Sequence, residues 1–510
     1  MKKHINKLLS AALALSFTLP LVACGANGGY GEWDNSGAPA PGGILMDGDF
    51  ELGEPLLDYK YEEITENGFF NAATAPNSYF SLDRNTAAYS LMRKQINGGN
   101  LPSPTSVRLE EYINYFDYDY ARPNEGEDIS VGGNIFDCPW NEENKLMTVT
   151  VAAEEVDVSD VSHNIVLLVD TSGSMYGDDR LGLIQQSFKL LVEELDEKDT
   201  VSIVTYASGT SVALRGASGN EKAKIVNALF DLKASGSTNG AGGLQLAYEV
   251  AQDYMTEGSN NRVIIATDGD FNVGPSNKKD LEKLITTKRD SGIYLSVLGV
   301  GMYNTNDVTM KTLSENGNGN YAYLDTVAEA QKVLVKELGG TLKVVAKDAK
   351  IGVTFNADAV EKYRLIGYES KILSQEEFED ETKDTGEIGS GHNVTALYEV
   401  KLIGDAEGEV ASTEIKYKKP DTDENMSVKY VLNAEDITAT SNEDCVFIGC
   451  VTEFGLILRK SEYKANASLE SVLTRLNDLI CVKTDQFKAE FAELVKKAQK
   501  LVPASYYDED

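Results

Sequence analysis

Residues 164–175 read NIVLLVDTSGSM, an unbroken apolar run from Ile165 to Val169 that stops at Asp170 and opens into a turn of small and hydroxylic residues. A continuous apolar run of this length, flanked by polar residues, predicts a strand buried on both faces, as in parallel sheets covered by helices. The same grammar recurs downstream. Apolar runs at Val201–Tyr206, Val263–Thr267 and Ile293–Val300 alternate with amphipathic stretches, among them 180–195, 221–232, 243–255 and 279–289. Strands alternating with helices predict an α/β fold with a doubly wound, mostly parallel, Rossmann-like sheet.

Three polar groups fall where these strands or a helix meet loops. Asp170, Ser172 and Ser174 follow the first strand, Thr238 lies in the run GSTNGAGG (236–243), and Asp268 follows the strand ending at Thr267. In open parallel sheets that rim is where ligands bind. Hydroxyl and carboxylate oxygens are hard donors suited to Mg²⁺, Mn²⁺ or Ca²⁺. Gly173 stands between the two serines, where a small residue allows a tight backbone.

Asp-x-Ser-x-Ser after an apolar strand, a later Thr in a glycine-rich loop and Thr-Asp-Gly after another strand together resemble the metal-ion-dependent adhesion site of the von Willebrand factor type A (VWA) domain. The resemblance implies Ser172, Ser174 and Thr238 as hydroxyl ligands, with Asp170 and Asp268 binding directly or through water. It implies a divalent cation, Mg²⁺ foremost, with one coordination position left for a partner's Asp or Glu carboxylate. Runs such as LEEYINYFDYDY (109–120), NNRVIIATDGDFNVG (260–274), VLGVGM (297–302), GNGNYAYLDT (317–326) and KDTGEIGSGHNVTALYEV (383–400) are similar to a bacterial lipoprotein family that carries a VWA domain between two flanking regions.

Other motifs fail on their own chemistry. DGDFNVG from Asp268 opens like an EF-hand loop, but its sixth position is Val273 where Gly is needed and its twelfth is Lys279 where a bidentate Glu is needed. The glycine run 236–243 lacks the Lys-Ser/Thr of a phosphate loop, so no nucleotide is expected. His163 and His392 lie in no Ser-His-Asp setting and read as surface residues. A binding protein rather than an enzyme is therefore expected. The alternatives are a structural envelope scaffold with a purely stabilising metal and a metal-dependent hydrolase.

Across its 510 residues the chain carries a formal charge of -34, which excludes an electrostatic footprint for nucleic acid and argues against adsorption to anionic lipid. Attachment is expected from the N-terminus instead. Lys2, Lys3 and Lys7 precede an apolar run from Leu8 to Val22 that ends in LVAC, and this resembles a lipoprotein processing box in which Cys24 becomes the lipidated first residue. The expected place is the exported side of a cell membrane or envelope. The other four cysteines, Cys138, Cys445, Cys450 and Cys481, lack paired zinc spacing and read as unpaired core thiols, the alternative being disulfides, for which four residues allow three pairings in an exported chain.

The expected organisation is a signal peptide over 1–23, a flexible acidic tether over 24–76, an N-terminal flanking region of helices then strands over 77–156, the VWA domain over 157–340, and a C-terminal region over 341–510 that is β-rich and then helical. Period-two alternation in 129–153 and again in 343–431 suggests that the α/β unit is inserted into a small β-rich domain.

Overall fold

The computed structural model describes residues 64–506 apart from 83–84, 158–159, 257, 270–277, 302–305, 337–343, 405, 421, 438–441 and 504–505. The expected leader, Cys24 and the tether up to residue 63 lie outside the described residues.

The central sheet is built on β5 (His163–Asp170), the strand quoted above. It pairs in parallel with β6 (Thr200–Tyr206) on one side and β8 (Asn260–Thr267) on the other. Beyond β8 lie β9 (Ile293–Gly299) and β10 (Tyr321–Tyr323), both parallel. Ile165 to Val169 are fully buried because helices cover both faces. On one face Leu183, Phe188 and Ile225 of α3 (Leu181–Glu194) and α4 (Lys222–Phe230) pack on Ile165, Leu167 and Val169. On the other, Leu244 and Tyr248 of α5 (Gly240–Asp253), with Leu281 and Ile285 of α6 (Lys278–Asp290), pack on Val166 and Leu168. Burying one such aliphatic side chain is worth about 1.5–3 kcal/mol, so alternate residues of one strand anchor opposite helical layers.

One strand of this sheet escapes the pattern of continuous apolar runs. β7 (Thr210–Ser218) closes the edge antiparallel to β6, with Leu214 and Ala217 buried and Arg215 exposed. Its alternation belongs to a strand solvated on one face, so it contains no wholly apolar run.

The strands flanking the α/β unit join two antiparallel sheets. β3 (Ile129–Asp137) and β4 (Lys145–Ala153), which precede it, form a hairpin, and β4 pairs with β14 (Asn393–Leu402), which follows it; β12 (Val360–Ile366) completes that sheet with β1 (Phe70–Asn71). The second sheet holds β11 (Val344–Phe355), β13 (Gly386–Gly389), β15 (Glu409–Lys418) and β16 (Asn425–Asn433), with β2 (Asn77–Ser81) beside β11. Val149, Val151, Ile351, Val353, Tyr398 and Ile415 lie in the core between the two sheets. Residues 64–76, expected in the tether, belong to this folded part: Ala72 is buried and β1 pairs with β12.

A helical layer completes the fold. It contains α1 (Ala87–Asn97), α2 (Leu109–Ile113) and the terminal helices α10 (Glu443–Arg459), α11 (Leu469–Asp478), α12 (Ile480–Thr484) and α13 (Gln486–Leu501), while α7 (Asp307–Asn316) and α8 (Val327–Gln331) belong to the α/β unit and the short α9 (Gln375–Glu379) lies against β2, its Phe378 ring stacked on Tyr79. The aromatic run 109–120 forms core, with Tyr112, Tyr115 and Phe116 buried. The helix is short and stops at Ile113. The Asn114 amide donates to Glu110 O, Tyr368 Oη and Thr395 O, while its carbonyl accepts from Thr395 N at 2.7 Å. The side chain thereby ends the helix on β14. His392 is buried rather than superficial. Cys138, Cys445 and Cys450 are buried free thiols and Cys481 is a half-buried one.

Candidate metal centre

Asp170 ends β5 with its carboxyl wholly buried and already engaged. Oδ1 accepts from Ser172 N at 2.8 Å, a local turn of the kind short acidic side chains favour. Oδ2 accepts from Thr267 Oγ1, the last residue of β8, at 3.0 Å. Thr267 Oγ1 in turn accepts from Gly269 N at 3.3 Å, which shapes the turn carrying Asp268. Asp268 is 3% exposed. Burial pushes the Asp170 carboxyl up, and the Asp268 charge adds to it against the downward pull of the Ser172 and Thr267 hydrogen bonds.

Past Asp170 the chain enters a single tight turn over Gly173–Met175, which leaves Ser172 Oγ and Ser174 Oγ 3.0 Å apart. Two ligands on adjacent vertices of an octahedron with metal–oxygen bonds of about 2.1 Å stand about 3.0 Å apart, so this hydroxyl pair fits one edge of a Mg²⁺ shell. Met175 is buried in the core beneath and holds the turn down, while Tyr176 stands out at 82% exposure. Gly173 faces the glycine-rich loop at close range. Its N–H donates to Gly236 O at 2.9 Å, and a Cβ there would lie 3.3 Å from that oxygen.

That contact joins the glycine-rich loop to the turn, and Ser235 N adds a bond of 2.7 Å to Thr171 O. Gly236 has φ +86, and a Cβ on it would come within 2.5 Å of Ser208 Oγ, so only glycine suits the position. Half-buried Thr238 follows two residues later, just ahead of Asn239, whose side chain caps α5. The fold thus brings the three segments bearing Asp170, Ser172, Ser174, Thr238 and Asp268 to one rim of the sheet. Their hard oxygens and converging carboxylates fit a divalent cation, whose charge would offset the cost of burying the two acids together. The described residues contain no cluster of three His, Cys, Asp or Glu suited to a metal.

Spacing in the sequence does not reveal the supports. Thr267, which the resemblance gives no ligand role, holds Asp170. Tyr206 ends β6 fully buried, with Asp170 the strongest charge acting on it after burial raises its own pKa. Arg180 crosses the rim: Nη1 donates to Ser174 O at 2.5 Å, and its Nε lies 3.0 Å from the point where a Cβ on Gly301 would stand. Lys94 of α1 reaches the following loop at Asp179, 3.5 Å away.

A wider clamp holds the flanks against the α/β unit. The Arg93 guanidinium, 1% exposed, pairs with Asp325 at 2.5 Å, with Glu329 of α8 at 2.7 Å and with Glu490 of α13 at 3.1 Å. It also donates to Tyr115 Oη at 2.7 Å.

The described families tile the same architecture: "von Willebrand factor" matches residues 56–148, "von Willebrand factor type A domain" matches 164–337, and "Uncharacterized protein YfbK, C-terminal" matches 340–501. A von Willebrand factor type A protein from Catenulispora acidiphila is similar in structure at a TM-score of 0.42 and 15% identity, covering 77% of this chain and 93% of its own. The "Uncharacterized protein sll0103" of Synechocystis is 27% identical over 170 residues, 33% of this chain and 39% of that protein. The "Uncharacterized protein YfbK" of Escherichia coli is 38% identical over 473 residues, 88% of this chain and 82% of that protein. By that extent of likeness, and by the VWA domain set between its two flanking regions, this chain belongs to the YfbK family.

Proposed function

We propose that this chain is a lipid-anchored envelope protein, held by Cys24, that captures a partner protein through a divalent cation, with Mg²⁺ foremost and Mn²⁺ or Ca²⁺ able to substitute. Ser172, Ser174 and Thr238 supply hydroxyls, and Asp170 and Asp268 supply charge from behind. The ion gives the site an electron-poor position that an exposed Asp or Glu of the partner completes. The observation that carries this reading is the Ser172–Ser174 hydroxyl pair at 3.0 Å beside a buried Asp170.

The role of the chain's own groups is to bind and orient. Thr267 and Ser172 N hold the Asp170 carboxylate in one orientation, and the bond from Gly173 N to Gly236 O fixes the loop that leads to Thr238. Tyr176, exposed two residues beyond Ser174, offers a flat apolar surface next to the site, as interface anchors do. Binding rather than catalysis is proposed. The test is capture from native envelope with wild type and with Asp170→Asn, in Mg²⁺ and in chelator. A partner retained by wild type in Mg²⁺ and lost in the other arms supports the reading. Equal capture in chelator, with the protein still folded, defeats it.

The buried Arg93 clamp favours a second reading, in which the metal only stabilises a scaffold whose flanks make the contacts. That reading expects partner capture to survive chelation.

A further inference from the structure

The seam between the α/β unit and the flanking sheets holds a polar cavity of about 440 Å³. On one side stand Arg289 at the end of α6 and the loop 315–320, which lead into β9 and β10; on the other stand residues 370–373 and the segment 383–389 with β13. The candidate metal ligands follow the ends of β5 and β8, so the cavity lies at the opposite end of these parallel strands. Its volume falls within the range of about 300–1,000 Å³ typical of small-molecule sites.

Three bases and four acids line it, and six of these charges cancel in pairs. Arg289 pairs with Asp384, Lys371 with Glu315 at 2.7 Å, and Lys383 with Glu377 at 3.0 Å. The acid left over is Glu387. Its Oε1 accepts from Asn318 Nδ2 at 2.6 Å, across the seam, and it enters no ion pair among the described residues. The loop carrying Asn318 is held tightly on β9, where a Cβ on Gly319 would stand 1.9 Å from Leu295 O. Burial pushes the Glu387 carboxyl up to about 7, and Asp348 adds to it, against the pull of Arg262 on β8, Lys347 on β11 and the Asn318 bond. Those two bases are engaged elsewhere, Arg262 by Ser296 and Lys347 by Asp423.

A carboxyl that lines a polar cavity with one amide donor and no base in contact is offset best by a cation from outside. A divalent metal does not suit it, because such an ion takes about six oxygens and the described residues contain no cluster of acids fit to hold one. An anion would meet bases that are already neutralised. An ammonium group, with three N–H donors, matches a lone carboxylate. Ser81, Ser370 and Asn320 offer hydroxyl and amide groups to polar substituents beside it.

We propose that the seam cavity binds a small organic ammonium compound bearing hydroxyl or amide groups, with Glu387 as its counter-charge and Asn318 orienting the Glu387 carboxyl. This stands independently of the cation site at the other end of the sheet.

The test titrates three probes into the full mature chain by calorimetry: glucamine, a primary amine on a chain of hydroxyls; sorbitol, its neutral counterpart; and the peptide Gly-Lys-Gly. Wild type should bind glucamine at least about tenfold more tightly than sorbitol. Glucamine affinity should rise about tenfold between about pH 6 and pH 8, as the Glu387 carboxyl ionises near 7. Glu387→Gln keeps the shape and can still accept from Asn318. It should lose about tenfold or more in glucamine affinity at the higher pH, lose the pH slope, and melt no lower than wild type. His392 also lines the cavity, and an ordinary histidine titrates in the same range, so a slope that persists in Glu387→Gln would belong to His392 and overturn the role of Glu387. Absent glucamine binding, equal affinity for sorbitol, or unchanged affinity in Glu387→Gln would overturn the proposal. If the variant does not fold, wild type decides by itself: a glucamine-to-sorbitol ratio near one or a flat pH profile overturns it. Binding of Gly-Lys-Gly without binding of glucamine would overturn the small-molecule reading and assign the ammonium to a lysine of a polypeptide.

Discussion

Replacing Asp170 by Asn tests the proposed site while disturbing the fold least. The asparagine keeps the shape and one acceptor oxygen, so it can still receive Ser172 N, which now donates to Oδ1 at 2.8 Å. The cost is the bond from Thr267 Oγ1 at 3.0 Å, worth about 1.5–3 kcal/mol for a charged acceptor. Against that stands the relief of a buried charge whose pKa is raised first by burial and then by Asp268. The two contributions oppose each other, so the metal-free variant should melt within a few degrees of wild type. Mg²⁺ separates them. At about a hundredfold excess over Kd, ligand linkage stabilises the wild type by about 2.7 kcal/mol. At about 2–4 °C per kcal/mol for a domain of 150–250 residues, that is a rise of about 5–11 °C if the α/β unit melts as one transition. The variant should not rise. The assay is differential scanning calorimetry with chelator and with a Mg²⁺ series, and an equal rise in both proteins would falsify the assignment of Asp170 to the site.

Arg93→Met should destabilise the protein by about 3–5 kcal/mol, because it leaves Asp325 and Glu329 buried without their cation; denaturant titration measures it, and a loss below about 1 kcal/mol would mean the clamp is dispensable. Glu111 lies 5% exposed, accepts from Ala88 N at 2.8 Å, and is pushed up to about 7 by burial despite Arg108 and Lys311. Its folded pKa exceeds its unfolded one, so the folded state holds the extra proton between them. This group's contribution to stability is therefore full below about pH 4.5 and is lost as pH rises toward 7. Glu111→Gln should flatten that slope, which is at most about 1.4 kcal/mol per pH unit; identical pH profiles in denaturant melts would refute it. Cys24→Ser should move the protein from the membrane fraction to the soluble one in fractionated cells, and its full retention on membranes would remove the proposed anchor.

Much of the fold is determined locally and is legible without coordinates. The apolar run Ile165–Val169, too short for a helix of its own and set among amphipathic stretches, reads as a strand covered on both faces, and all five residues are fully buried. Asp170, Ser172 and Ser174 are fixed by their spacing on one short turn, and that turn sits where a parallel strand must end. The edge strand β7 and the early end of α2 were not legible in that way. The first alternates like a surface strand, and the second is decided by Asn114 reaching β14, far along the chain.

The sequence by itself thus determined the α/β alternation, the positions of the candidate ligands and the acidic character of the chain, all of which follow from periodicity, composition or spacing within single segments. Only the tertiary structure decided which partners make those segments a site. Thr267 on Asp170, Gly236 against Gly173, Tyr206 beneath Gly243 and Arg180 across Gly301 are contacts between residues remote in the chain. The pairing of β4 with β14 is of the same kind. Their sequence separations carry no periodic signal. The geometry depends on strand order and on how closely glycines let backbones approach, and both exist only once the sheet has closed.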